Sequence, residues 1–461
     1  MKTDSHGMPE ACPEASSTAQ LVQIEVSPAH PLLVLKRALP WEAITEAMTR
    51  YWREHGKNVD GGPGLPWEVS LYVPLWVLML IKPFDSRQME AYLAENVVAR
   101  LFIGRHREVQ AQIRDHSHIA RAYAALGKAG IEEAIRLVIK EAHGFGFVDE
   151  GVLSADPTAQ ELPIGYPNEP GILRGLAQRV GRTLTQLKKR GVQGLDSALD
   201  QRQTLLRSVK EHHLFTKGRE AKREVLTRIL RAVGELIAPT RPLVEGLKTS
   251  SDQVIQSARS RLVAMHEVIK PLMRQMVHWL TTGKVAANKM IHVGLSQARA
   301  IVRHKAGKKT EFGLGYLISR LGGGDVFGTL IAANADERQM PLKALAGYRE
   351  IFAQEATPEL VVYDRGGDST ATCEKLALEG VKHVGIQPKG NRPWSVAEAV
   401  RDQVRTERGQ TEGVIGTLKS NRYKFNKPKE RLWQTLEMAG PRSILSFNLN
   451  KFMRDLVALA K

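Results

Sequence analysis

The 461-residue chain contains two cysteines, Cys12 and Cys373. They are far apart and form no Cys-x-x-Cys pair, which excludes a disulfide framework and a thiolate zinc site. Long apolar runs are also missing. The longest, "LYVPLWVLMLI" at 71–81, contains Pro74 and is too short to span a bilayer. It reads as buried core, and no membrane partner is expected. The amino-terminal "MKTDSHGMPEACPEASSTAQ" lacks an apolar h-region, so no secretory signal is expected. Its Ser, Pro, Glu and Ala bias makes 1–29 read as a disordered lead-in. "GLGYLISRLGGG" is rich in glycine but lacks the Lys-Ser/Thr of a P-loop, so ATP use is not expected.

What is abundant is positive charge. The formal net charge is +17 and the pI about 9.8, which points to a polyanionic partner. The excess is localised. Residues 171–310 hold 28 Lys and Arg against 9 Asp and Glu, more than the whole chain's surplus. A segment that contacts nucleic-acid phosphates gains from such localisation through counterion release. Solvated basic helix faces are the plainer reading.

Periodicity divides the chain. Residues 30–143 read as helical. "PWEAITEAMTRYWREHG" has a first-turn Pro and stops at Gly56. "GGPGLPWE" (61–68) is a loop. "DSRQMEAYLAENVVARLFIG" has Asp85 or Ser86 as N-cap, Gly104 as stop, and Met89, Leu93, Val97 and Leu101 on one face. This region fits a DNA-binding helix-turn-helix module or a plain bundle. Over 144–170 glycine and proline dominate, with one short strand from Val152 to Ala155. Helical periodicity returns over 171–300. There Val225, Ile229, Val233 and Leu236 share a face, Arg228 and Arg231 lie off it, and Pro271 interrupts a later helix. Over 301–461 two strands flank "LGGGD", a hairpin turn. Helix, strand "LVVY", helix, strand and a long helix follow. That last helix has Ser395 as N-cap with Glu398 at the capping-box position. The order implies a mixed α/β sheet.

Two carboxylates close strands: Asp156 after "VLSA" and Asp364 after "LVVY". In open α/β sheets functional groups gather beyond the carboxyl ends of strands. Glu412 lies on the last long helix, which would pack across the same sheet. Three carboxylates with no Cys or His partner select magnesium or manganese, and two such ions can serve a phosphodiester from both sides. On that helix, at about 100° per residue, Arg408, Glu412 and Lys419 fall on one stripe, and Arg405 extends it. The cations would hold phosphate oxygens. Helix spacing alone favours an ordinary Arg408–Glu412 surface pair. Trp394 could stack on a base or anchor packing. His212–His213 reads as a solvated face. "KFNKPKER" (424–431) could touch flanking DNA or be a solvated turn.

Arg408-x3-Glu412-x6-Lys419 resembles the Tyr-x2-Arg-x3-Glu-x6-Lys signature of DDE transposases from bacterial insertion sequences. "VVYDRGG" resembles their second-Asp strand, "LSADPTAQELPIGYPNEPGILRGLAQRV" their first-Asp segment, and "VRHKAGKKTEFGLGYLI" the lead into their second strand. "MEAYLAENVVARLFIG" and "DHSHIARAYAALG" are similar to their N-terminal helices. The likeness covers most of residues 30–455 and fits the ISNCY subgroup best. It implies an RNase H-like fold with the basic helices inserted between the first and second strands. It implies Asp156, Asp364 and Glu412 as metal ligands, with Arg408 and Lys419 as signature cations. The implied activity is magnesium- or manganese-dependent cleavage at the ends of a double-stranded DNA element, then joining of a 3′-hydroxyl to target DNA. A homodimer on DNA and a cytoplasmic, nucleoid-associated location follow. The alternatives are a nuclease that does not join, or a degenerate DNA-binding protein. Two departures stand out. Arg405 occupies the signature Tyr position. Pro157 follows Asp156 and cannot donate to a ladder, so either the strand ends at Asp156 or the assignment is displaced. Rival first carboxylates are Asp149, Asp325 (read as capping the hairpin) and Asp336 (read as a helix entry).

Overall fold

The computed structural model describes residues 25–59, 68–104, 115–125, 127–302, 310–332, 335–390, 392–394, 396–430 and 432–460. Most of the expected lead-in, most of the 61–68 loop, and Ser395 lie outside the described residues. The described helices before the sheet are α1 (Pro31–Ala38), α2 (Trp41–Glu54), α3 (Val69–Ile81), α4 (Ser86–Glu95), α5 (Val97–Phe102), α6 (His116–Ala125) and α7 (Lys128–Gly144). α3 carries the longest apolar run, and every residue from Leu75 to Ile81 is buried. Among the described residues no single helix is long and apolar enough to cross a membrane.

One expected helix is two. Asp85 caps α4 in a capping box with Gln88, but the chain turns at Asn96. The Asn96 side chain accepts from Ala99 N at 2.8 Å and starts α5 afresh. An Asx cap competes with helix continuation because it offers the backbone a local partner. Met89 and Leu93 are buried as expected.

Among the described residues the sheet is mixed, with six strands: β1 (Asp149–Glu161), β2 (Arg299–Val302), β3 (Thr310–Gly322), β4 (Val326–Ile331), β5 (Leu360–Tyr363) and β6 (His383–Ile386). The order is β2-β3-β1-β5-β6, with β4 on the β2 side of β3. β1 runs antiparallel to β3 and parallel to β5, and β5 runs parallel to β6. The expected hairpin joins β3 to β4, and Gly323 and Gly324 supply its positive φ angles. β2 is an added short strand, half exposed, that periodicity did not mark.

Between β1 and β2 lie α8 (Glu169–Lys189), α9 (Asp196–Leu214), α10 (Arg219–Ile237), α11 (Thr240–Gly246) and α12 (Gln253–Thr282). They bury their own core, in which Leu173, Leu184, Leu205, Ile229, Leu236 and Leu272 are fully enclosed. Arg228 and Arg231 face outward, as the spacing requires. α12 continues through Pro271 instead of being interrupted. The lost bond falls between exposed Pro271 and exposed Glu267, where water can take the freed carbonyl.

After the sheet's first half come α13 (Met340–Ile351), α14 (Thr370–Leu378), α15 (Glu398–Leu418), the short α16 (Trp433–Leu436) and α17 (Ala439–Leu459). α15 begins at Glu398 with Ala397 as its N-cap and no side-chain cap; the expected cap at Ser395 falls outside the described residues. α17 is buried against α1, α3, α7 and β4. Its Asn448 accepts from Val326 N at 3.0 Å and donates to Val326 O at 2.7 Å, standing in for a strand partner. One continuous core joins Leu35, Met48, Trp52 and Val138 of the early helices to Leu153, Tyr316 and Phe452. The early helices and the sheet therefore share a single interior.

Candidate active site

β1 does not end at Asp156. It continues through Pro157 to Glu161, and the hydrogen-bond geometry explains why it can. Leu162 N donates to Phe312 O of the β3 side at 2.9 Å. Alternate residues of a strand point their N–H groups to the same side, so Asp156 faces β3 and Pro157 faces the other edge. On that edge β5 pairs only with Val152, Leu153 and Ser154. The missing N–H of Pro157 falls where no neighbouring strand remains.

The same register gathers two of the expected carboxylates. Val152 lies beside Leu360 and Ser154 beside Val362. Carried two residues past its last pair, that register would bring Asp156 beside Asp364, which caps the turn after β5. Side chains alternate along a strand, so Asp156 shares a face with Ser154, and Asp364 with Val362. That face is the one α15 covers. Val404 packs on Leu360 and Val362, and a Cβ on Gly385 would meet Val404 Cγ2 at 2.6 Å. Thr411 Oγ1 lies 2.7 Å from Ser154 Oγ, both buried. Asp156 and Asp364 are half-buried, and Asp364 Oδ1 accepts from Gly366 N at 2.8 Å.

Glu412 follows Thr411 on the exposed shoulder of α15. The other shoulder is anchored. Arg320, opposite Ser154 on β3, is buried and bonds Glu407 and Gln410. Glu412 lies about 140° and 200° around the helix from those two residues. Arg320 reaches toward the β3–β4 turn. There burial raises the Asp325 carboxyl, while Lys451 and then Arg320 oppose the rise. Glu412 therefore lies on the shoulder of α15 away from Arg320. Arg408 and Lys419 are half-buried on the same stripe, and Lys419 is the C-cap of α15.

The ion pairs of α15 differ from the plain helix reading. Among the described residues they run from Asp402 to Arg405 at 2.6 Å and from Glu407 to Arg320, not from Glu412 to Arg408. Arg405 is exposed, and its guanidinium is taken by Asp402.

The structure adds a residue that sequence reasoning passed over. Glu337 follows Asp336 in "NADERQ". A Cβ on Gly366 would meet Glu337 Oε1 at 2.2 Å, so this carboxylate rests on the turn that Asp364 begins. Glu337 is exposed as a residue, but the turn shields its carboxylate. Burial, followed by the charge of Asp364, raises its carboxyl above the ordinary range. Tyr363 is buried, and its hydroxyl has no hydrogen-bond partner among the described residues. Burial and then Asp364, Glu337 and Asp156 push its phenol well up. No local sequence signal marked Glu337. For Arg320 there was one: a charge inside the apolar strand "YLISRLG".

The rival first carboxylates have other work. Asp149 accepts from Gly151 N at 2.8 Å at the start of β1. Asp336 caps the short turn Glu337–Gln339 and pairs with Arg338 at 2.8 Å. Asp325 is fully buried and pairs with Lys451 at 2.7 Å, a core ion pair in place of the expected hairpin cap. Trp394 packs on Leu360, Val362 and Val404 with Arg401 over its ring, so it is a packing anchor.

Among the described residues no three His, Cys, Asp or Glu side chains are gathered at metal-ligand spacing. The carboxylates near the end of β5, Asp364 and Glu337, offer oxygen only. Such a set fits a hard divalent cation better than zinc. No family model matches the chain, and neither a curated protein nor a solved structure was found to match it.

Proposed function

We propose that this protein is a DDE transposase of the insertion-sequence type, built on an RNase H-like sheet. The reading rests on one observation above others. The parallel β1–β5 register, continued two residues beyond its last pair, would bring Asp156 beside Asp364 on the face that α15 covers. The strand order supports it: β1, β3 and β4 pair antiparallel and β5 and β6 extend the sheet in parallel, a mixed sheet of the kind the resemblance implies. The basic helices inserted after β1 supply a surface suited to double-stranded DNA.

Asp156, Asp364 and Glu412 would hold magnesium or manganese. When bound, such ions activate the attacking oxygen and stabilise the leaving oxygen of a phosphodiester. The chain's own groups do the positioning. The Thr411–Ser154 and Arg320–Glu407 contacts fix α15 on the sheet, and so fix Glu412 relative to the two aspartates. Arg408 and Lys419 stand on the Glu412 stripe to hold phosphate oxygens. Glu337 adds negative charge at the Asp364 turn, which raises the site's demand for a cation.

Arg405, tied to Asp402 where the resemblance has a Tyr, favours a second reading: a DNA-binding protein that no longer cuts. One assay separates the two. Nicking and strand transfer on supercoiled DNA are followed in magnesium and in manganese, with wild type and with Asp156→Ala, Asp364→Ala and Glu412→Ala. The expected result is cleavage with joined products in wild type and none in the three variants, with DNA affinity unchanged. Cleavage without joined products would make it a nuclease. Full activity in any one variant would remove that residue from the site.

A further inference from the structure

Past the end of α15 the chain forms one wall of a cleft of about 520 Å³. The α3–α4 corner, α6 and α17 form the others, and the lining includes Phe84, Tyr123, Arg422, Lys424, Lys427 and Lys429. We propose that this cleft receives an unpaired DNA strand running on from the candidate active site. The inference rests on the transposase reading and deepens it by naming the form of DNA the protein holds.

Size carries the first part of the argument. A cleft of this volume is in the range that encloses a drug-sized ligand, about 300–1,000 Å³. It admits one or two nucleotides with their bases exposed, and a double helix does not enter.

Chemistry carries the second part. Lys427 and Lys429 are exposed on either side of buried Pro428, and Lys424 donates to Pro83 O at 3.0 Å across the cleft. Aromatic rings stand among them. Phe84 packs edge-on to Tyr92 with centroids 5.2 Å apart, and Tyr123 lies under the Arg442 guanidinium at 5.0 Å. Cations beside aromatic faces are what a single strand uses, phosphate on one and base on the other.

The backbone carries the third. Lys424 has φ 55° and Lys427 has φ 52°, a conformation that residues with side chains rarely adopt. It persists where the surroundings over-determine it, as at ligand clamps. Here the fastening is visible. Phe425 is fully buried against Tyr316, Lys427 N donates to Glu161 O at 2.7 Å, and Glu161 N donates to Asn426 Oδ1 at 3.1 Å. Glu161 ends β1, the strand that carries Asp156. The lysine wall is thus held rigidly to the candidate catalytic strand. Ser420, which lines the cleft, is eight residues beyond Glu412 and just past the C-cap of α15. At the helical rise that is roughly 12 Å, or three to four nucleotides at about 3.4 Å each.

The test compares a blunt duplex with the same duplex carrying a four-nucleotide unpaired 3′ or 5′ tail. Binding is measured by fluorescence anisotropy over a salt series, with wild type and Lys427→Gln/Lys429→Gln. Both side chains are exposed, and an unchanged melting temperature verifies the fold of the variant. Wild type is expected to bind one tailed duplex about tenfold more tightly than the blunt one, with a steeper salt slope by about 0.7 per lysine. The variant is expected to bind both duplexes alike, at the wild-type blunt affinity. Equal binding of tailed and blunt DNA by wild type, or a preference that survives in the variant, overturns the cleft proposal and leaves the transposase reading standing. Absence of binding to any duplex overturns both.

Discussion

Thr411→Val would test how Glu412 is held in place. Thr411 and Ser154 are each about 1% exposed, and their hydroxyl oxygens lie 2.7 Å apart. Thr411 Oγ1 also lies 2.9 Å from Glu407 O, within its own helix. Valine keeps the shape and removes the hydroxyl, so Ser154 is left as a buried polar group without its partner. Orphaning such a group costs about 1–3 kcal/mol. Ser154→Ala costs less, about 1 kcal/mol, because Thr411 keeps its bond to the helix carbonyl. In the double variant both partners are apolar, so its loss is smaller than the sum of the single losses by about 1 kcal/mol or more. Urea unfolding followed by tryptophan fluorescence measures all three. The same variants report on function, because a shift of about 1 Å in a catalytic group can lower a rate about 100-fold. Thr411→Val should therefore slow DNA cleavage more than its stability loss accounts for. Strictly additive stabilities, or wild-type cleavage in Thr411→Val, would refute the idea that this contact seats the helix.

Arg320→Met leaves Glu407 nearly buried without its cation and should destabilise by about 3–5 kcal/mol. Adding Glu407→Gln to it should recover part of that loss, and denaturant midpoints of the single and double variants decide the point. Asp325 makes a pH prediction. Its carboxyl is raised by burial despite Lys451, so the folded state holds its proton more tightly than the unfolded chain does. Its contribution to stability therefore falls as pH rises above the ordinary value of about 4, through the raised folded one. Asp325→Asn removes that component, so melting temperatures from pH 4 to pH 7 should show the variant gaining on wild type as pH rises. A constant difference across that range would contradict the assignment.

Much of the architecture was legible because it is local. Val225, Ile229, Val233 and Leu236 recur at helical spacing and are buried. The glycine run between β3 and β4 has the positive φ angles of a tight turn. "LVVY" is a strand that stops where Asp364 begins. Each depends on residues within a few positions of one another, and side-chain periodicity and turn chemistry operate at that range. One boundary failed to a local competitor, the Asn96 cap that splits α4 from α5, and another where a distant group intervened. β1 runs through Pro157 because β3 pairs with it and β5 has already stopped.

The candidate site divides along the same line. Residue types and spacing marked Asp156, Asp364, Glu412, Arg408 and Lys419 as a possible set. They could not say which residues of α15 meet the sheet. Packing decided that: Arg320 claims Glu407 and Gln410 on one shoulder, and Thr411 seats on Ser154. Glu337 enters only because the turn after β5 folds back beneath it. Charge pattern and periodicity are properties of the chain alone. The level at which two strands meet, 208 residues apart in sequence, is chosen by side-chain packing across the whole sheet, since a one-residue slip would turn every buried side chain outward.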